Sequence, residues 1–237
     1  CYGHVDVVDK LIAAKADMKA TDTNGYTALH SAAYNGDVDV VAKLIEAEAD
    51  LNAKSPSGKT ALHWAAYKGH VDVVAALIAA EADMEATDTN GYTALHSAAY
   101  NGHVDVVDKL IVAGGDIDAK STIRKTALHC AAFKGHAGVV AKLIEAKADV
   151  NAKGTDGKTA LDFANKNNHL DVIDLLNLAA KNGSSQSKKH KPSAPEKALA
   201  TNKEAIEWGG QNMLWAAENG RQDVIKKLLK KGVDKDA

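Results

Sequence analysis

Residues 20–36 read ATDTNGYTALHSAAYNG, and the same stretch returns unchanged at residues 86–102. Between the copies lies a looser echo. Gly25, Gly58, Gly91 and Gly157 each open the pattern G-x-T-A-L, and Arg124 stands in the glycine's place in the remaining register. One phase of 33 residues therefore runs through five units, and a 66-residue pair of units is itself duplicated. A repeat of this length predicts a stack of identical supersecondary units, each contacting only its neighbours.

Within a unit, Thr27-Ala28-Leu29-His30 leads into an alanine-rich segment that Asn35-Gly36 ends in the manner of a helix C-cap. The next segment, VDVVAKLIEA, carries Val38, Val41, Leu44 and Ile45 as the apolar stripe of a second helix. Ala49-Asp50-Leu51-Asn52-Ala53-Lys54 then enters Ser55-Pro56-Ser57-Gly58, turn chemistry before the next T-A-L-H. The unit is helix, turn, helix, protruding loop. Helices below roughly 12–15 residues are marginal alone in water, so stacking is compulsory. Pairs such as Ala32-Ala33, Ala65-Ala66, Ala98-Ala99 and Ala131-Ala132 allow close approach of the first helices, while Val-Val and Leu-Ile pairs fill the layer behind.

The composite G-x-T-A-L-H-x-A-A-x-x-G-[HD]-x-x-V-V-x-x-L-I resembles the ankyrin-repeat family, with alanine where that family commonly has proline. The resemblance implies an all-α solenoid. It extends over residues 1–180 as a half repeat (1–21), repeats 22–54, 55–87, 88–120 and 121–153, and a C-terminal capping repeat (154–180). In the last of these Asp162 replaces the motif histidine and Asn168 the glycine. Residues 181–204 read as a flexible basic linker rich in Ser, Lys and Pro. Residues 205–237, with MLWAAENG at 213–220, resemble an incomplete N-terminal capping repeat of the same family. That segment either begins a second array, the arrangement the register favours, or folds back on the open first repeat. Domain swapping through it is a third arrangement. Cys1 as first residue makes the sequence read as a fragment of a longer protein.

The chain has 237 residues, is 46% hydrophobic and 25% charged, and carries a net charge of -2. Twelve of its 29 basic and seven of its 31 acidic residues fall in 181–237, which leaves that segment at +5 and residues 1–180 at -7. The acidic repeat body argues against nucleic acid as a partner, and Lys188-Lys189-His190-Lys191-Pro192 reads as solvated linker rather than an import signal. Neither a leader nor a roughly 20-residue apolar run is present, so a cytoplasmic protein is expected, with the nucleus as the alternative, and no membrane partner. Two cysteines, Cys1 and Cys130, make no disulfide framework.

Chemistry has little support. His30, His63, His96 and His129 recur at 33, but neighbours one repeat apart, roughly 10 Å by helix packing, cannot share a metal ion that needs ligands at about 2 Å. The role that the ankyrin resemblance implies for them is to tie loop backbone to the helix start. His4, His70, His103, His136 and His169 read as part of the turn between helices. Cys130 beside His129 is expected to be a buried apolar side chain, since adjacent helical residues do not face one another. Asp17, Asp50, Asp83, Asp116 and Asp149 read as turn formers. No phosphate loop, nucleophile elbow or H-E-x-x-H occurs in the sequence. A non-enzymatic chain without cofactor or metal is expected. Asn52 and Asn151 resemble the asparagine-hydroxylation positions of the family.

Positions that repeat faithfully serve packing, whereas those that vary are free to meet a partner. The freest are Tyr26, Lys59, Tyr92 and Lys125 on the loops, then Asn35, Lys68, Asn101 and Lys134 at the end of the first helix. Tyr34, Tyr67, Tyr100 and Phe133 precede the latter set. These twelve form the candidate partner-binding stripe, aromatic rings flanked by amide and lysine along the concave face, suited to a protein or peptide. The alternative for the rings is stacking on neighbouring repeats. Trp64, whose position is taken by Ser31, Ser97, Cys130 and Phe163, is expected to face the interior. A scaffold for protein partners is the leading functional expectation, and the targeting arm of a larger protein is the other.

Overall fold

Thr27, Thr60, Thr93, Thr126 and Thr159 each start a helix because the threonine side chain and the third helical residue cap one another's backbone. The computed structural model describes residues 5–186, with side chains through 181, all within one compact unit of residues 1–188. Most of the linker expected at 181–204, and all of the capping repeat expected at 205–237, lie outside the described residues.

The helices are α1 (Val5–Ala13), α2 (Ala28–Asn35), α3 (Val38–Glu46), α4 (Ala61–Lys68), α5 (Val71–Ala79), α6 (Ala94–Asn101), α7 (Val104–Val112), α8 (Ala127–Lys134), α9 (Ala137–Glu145), α10 (Ala160–Lys166) and α11 (Leu170–Gln186). α2, α4, α6, α8 and α10 pack in series as one layer, and α1, α3, α5, α7, α9 and α11 as the other. No strand occurs among the described residues, only an isolated bridge between Thr21 and Thr27. α11 continues through Gln186, beyond the boundary at 180 expected from the repeat.

Ala65, Ala66, Ala98, Ala99, Ala131 and Ala132 have no exposed surface, which is the close helix approach the alanines permit. Behind them Val73-Val74-Leu77, Val106-Val107-Leu110 and Val139-Val140-Leu143 are buried to within 1%. Burial of each leucine stabilises by about 2 kcal/mol. The second-helix stripe differs from expectation at its first member: Val38 is 37% exposed and Val40 is the buried residue. At 100° per residue Val40, Val41 and Leu44 share one arc, and Val38 lies roughly 110° from its centre.

Every second helix except α11 ends on a residue in the left-handed conformation. Lys15, Glu48, Glu81 and Lys147 have φ of 56°, 57°, 64° and 72°, and only Gly114, at 92°, is a glycine. The turn is closed by bonds such as Ala82 N–H to the Leu77 carbonyl, 3.0 Å. A Cβ in this conformation costs about 1–2 kcal/mol, partly offset by the greater freedom glycine has when unfolded. Glu81→Gly is therefore expected to stabilise the chain by about 0.5–1 kcal/mol in denaturant unfolding; a lower midpoint would show that the exposed Glu81 side chain stabilises the turn.

Candidate functional site

Each loop is a hairpin that fixes where its tip residue points. Asp22 N–H donates to the Tyr26 carbonyl, Ser55 to Lys59, Asp88 to Tyr92, Ser121 to Lys125 and Gly154 to Lys158, all at 2.9–3.0 Å. The loops also hook together, Thr89 N–H to the Ser57 carbonyl and Thr122 N–H to the Asn90 carbonyl. Arg124 takes the φ of 58° that the other repeats give to glycine. Asp50 and Asp83 accept from the backbone two residues on, the turn-forming role expected of them. Asn52 Oδ1 accepts from Asp83 N–H of the next repeat at 2.9 Å, and Glu85 and Asp118 repeat this link.

The two histidine series join the repeats in opposite directions. His96 Nδ1 accepts from Thr93 N–H at 3.1 Å and meets its hydroxyl at 2.9 Å, which assigns the proton to Nε2, and Nε2 donates to the Lys125 carbonyl of the next loop at 2.9 Å. His30, His63 and His129 do the same towards Lys59, Tyr92 and Lys158. Burial holds all four below the ordinary histidine range. In the last repeat Asp162 Oδ2 accepts from Thr159 N–H and hydroxyl at 2.8 Å, keeping the cap without the outward donor. The second series, read from sequence as turn residues, also reaches backwards: His70, His103, His136 and His169 donate Nε2–H to the carbonyls of Tyr34, Tyr67, Tyr100 and Phe133 in the preceding repeat, at 3.0–3.1 Å. Among the described residues no three His, Cys, Asp or Glu side chains converge in a way that could hold a metal ion. Cys130 is 7% exposed and burial pushes its thiol up to about 12.

With the backbone so fixed, the tip residues and the ends of the first helices line one face. Tyr34, Tyr67, Tyr100 and Phe133 are 43%, 38%, 40% and 41% exposed, while Tyr26, Lys59, Tyr92 and Lys125 are half-buried behind them. Two grooves lie between. The first, about 540 Å³, is lined by Tyr26, Tyr34, Asn35, Lys59, Trp64 and Tyr67 among others. The second, about 390 Å³, runs from Tyr67 past Tyr92, Tyr100, Asn101 and Lys125 to Cys130 and Phe133. Lys68 and Lys134 stand over the rings at the rim, their Nζ atoms 4.2 Å from the Tyr34 centroid and 4.5 Å from that of Tyr100. All twelve residues of the expected stripe thus fall on this face. Tyr92 Oη is held protonated further above its ordinary range by burial.

Trp64 departs from expectation. It is only partly buried and forms the floor of the first groove, edge-on to Tyr26, Tyr34 and Tyr67 at 5.7, 5.6 and 6.0 Å, with Lys59 Nζ 4.6 Å above its ring. Its Nε1–H is enclosed and meets no acceptor among the described residues. The variation at this position across repeats, Ser, Trp, Ser, Cys and Phe, was the signal that could have placed it on the face.

A family model described as ankyrin repeats, three copies, matches residues 1–88, 55–121 and 95–190. The chain belongs to the ankyrin-repeat family. No curated protein matches it. Ankyrin repeats are in general protein–protein interaction modules, and the family is typically non-catalytic. The all-α stack of this ankyrin chain agrees with the fold expected from its motif, and among its described residues no helix is long and apolar enough to cross a membrane.

Proposed function

We propose that this ankyrin array is a non-enzymatic scaffold that holds a protein or peptide on the face built by the first helices and loop tips. The observation that carries the reading is the row Tyr34, Tyr67, Tyr100 and Phe133, four rings about 40% exposed on consecutive repeats. Rings left in water at one register of four consecutive repeats are not required by the core, which is complete beneath them. Aromatic side chains bury much area for little lost rotamer entropy, and a groove between them accepts side chains of a bound segment. The rings also touch neighbouring repeats, as Tyr34 touches Trp64, so part of their area supports the stack. Localisation in the cytoplasm follows as part of the same proposal.

The test compares the chain with its Tyr67→Ala, Tyr100→Ala, Phe133→Ala variant, once both are shown to unfold at similar temperatures. Proteins retained from a lysate by the parent and lost by the variant, then reproduced with the purified partner at an affinity weaker in the variant by about 100-fold, support the reading. Retention of the same set by both, or of nothing by either, assigns the rings to packing alone.

A further inference from the structure

The 66-residue duplication has a consequence on the binding face. Tyr34 and Asn35 are followed one repeat later by Tyr67 and Lys68; Tyr100 and Asn101 are followed by Phe133 and Lys134. In both places the lysine leans back over the ring of the preceding repeat, Lys68 Nζ 4.2 Å from Tyr34 and Lys134 Nζ 4.5 Å from Tyr100, with a second ring at 6.0 and 5.9 Å. The face therefore carries one subsite twice, two repeats apart.

Charge identifies what these subsites would hold. The ion pairs among the described residues are made by Lys43 and Lys142 on the second-helix layer, with Asp9 and Glu46 and with Asp108 and Glu145. Lys59, Lys68, Lys125 and Lys134 have ring faces for neighbours and, among the described residues, make no ion pair with a carboxylate. Among the described residues one acid lines the two grooves, Asp88, and one of its oxygens is committed to Asn90 and Tyr92 N–H groups at 2.8 and 3.0 Å. An acidic array has thus gathered, on its aromatic face, ammonium groups that no carboxylate among the described residues pairs. A ring holds an ammonium from one side and leaves its other donors facing outward, where a carboxylate can take them.

Resting on the reading of this face as a docking surface, we infer that its occupant is an extended acidic segment of another protein, with carboxylates at two places that match the Lys68 and Lys134 subsites. Two repeats at roughly 10 Å each set those places roughly 20 Å apart, which an extended chain spans in about six residues. Each carboxylate meets an ammonium already oriented by its ring, and joining the two contacts in one segment makes the second effectively intramolecular.

The experiment selects peptides from a random 16-residue display library on the full chain and measures their affinities as synthetic peptides. Enriched sequences are expected to carry net negative charge with acidic positions about six residues apart. Lys68→Gln and Lys134→Gln should each weaken them about ten-fold, and the double variant about 100-fold, with unchanged thermal unfolding, and affinity should fall as salt rises. Neutral or basic winners, no enriched peptide, or either lysine variant binding like the parent overturns the inference. Peptides that ignore both lysines yet are lost by the Tyr67→Ala, Tyr100→Ala, Phe133→Ala variant sink the acidic two-point mode and leave the docking face standing. Peptides that bind this triple variant as well as the parent sink both.

Discussion

Between about pH 7.5 and about pH 5.5 the array is expected to lose up to about 5 kcal/mol of folding stability, ahead of any carboxylate titration. His30, His63, His96 and His129 are each at most 2% exposed, and each accepts a backbone N–H on Nδ1 while donating from Nε2. A proton on Nδ1 would point at the threonine N–H and break the cap. Neighbouring charges pull both ways on His63, Asp88 upward and Lys59 and Lys54 downward, but burial is the largest influence and lowers it. For a base whose folded pKa lies below its unfolded value, the unfolded chain binds the proton first. Stability is then full above the unfolded value near 6.5 and is lost as pH falls below it, by about 1.4 kcal/mol per histidine over this window. Four such groups set the ceiling. Denaturant unfolding across the window, with ring-proton NMR titration of the histidines, checks it. A flat stability curve, or four histidines titrating near 6.5 in the folded chain, would contradict the bonding described.

Gly69→Ala is expected to cost about 2–3 kcal/mol, against about 1 kcal/mol for Gly114→Ala. Both glycines are left-handed, with φ of 81° and 92°, so both substitutions carry the same backbone penalty. The difference is the neighbour. A Cβ at Gly69 would stand 2.6 Å from Nδ1 of His103 and 2.8 Å from its Cε1, whereas at Gly114 it would meet nothing within 4 Å. The His103 ring cannot yield without giving up its 3.0 Å bond to the Tyr67 carbonyl, which joins one repeat to the next. Equal losses in the two variants, measured by denaturant unfolding, would show that the histidine moves aside freely. A larger loss at Gly69 would measure the backward histidine link.

Much of this architecture is legible in one dimension because a stack uses each residue type for the same purpose in every layer. Thr27 to Gly36 announces its own cap, helix and left-handed stop, and α2 (Ala28–Asn35) follows those signals. The histidine in T-A-L-H could be assigned to backbone bonding without a structure, since the ankyrin resemblance implied that role and recurrence at 33 excluded a shared metal. The repetition also hid things. Val38 looked like a member of the buried stripe because three valines in four residues admit more than one arc, and only the layer packed against α3 selects Val40 and Val41. Among the five units that begin at Thr27, Thr60, Thr93, Thr126 and Thr159 tryptophan fills this position only at Trp64, so comparison among them could show that the position is free to line the face but not which rings Trp64 meets there.

By itself the sequence determined the period, the helix–turn–helix unit and the all-α stack, because local caps and a 33-residue register are properties of the chain alone. Tertiary structure decided the rest. Which histidine series links forwards and which backwards, the seating of Trp64 against Tyr26 and Tyr34 of the preceding repeat, and the placing of Lys68 over Tyr34 and of Lys134 over Tyr100 all depend on groups from different repeats meeting across the stack. Such contacts join residues about 30 or more positions apart, and their geometry is set by the stacking distance and by rotamers chosen within it, neither of which a linear pattern encodes.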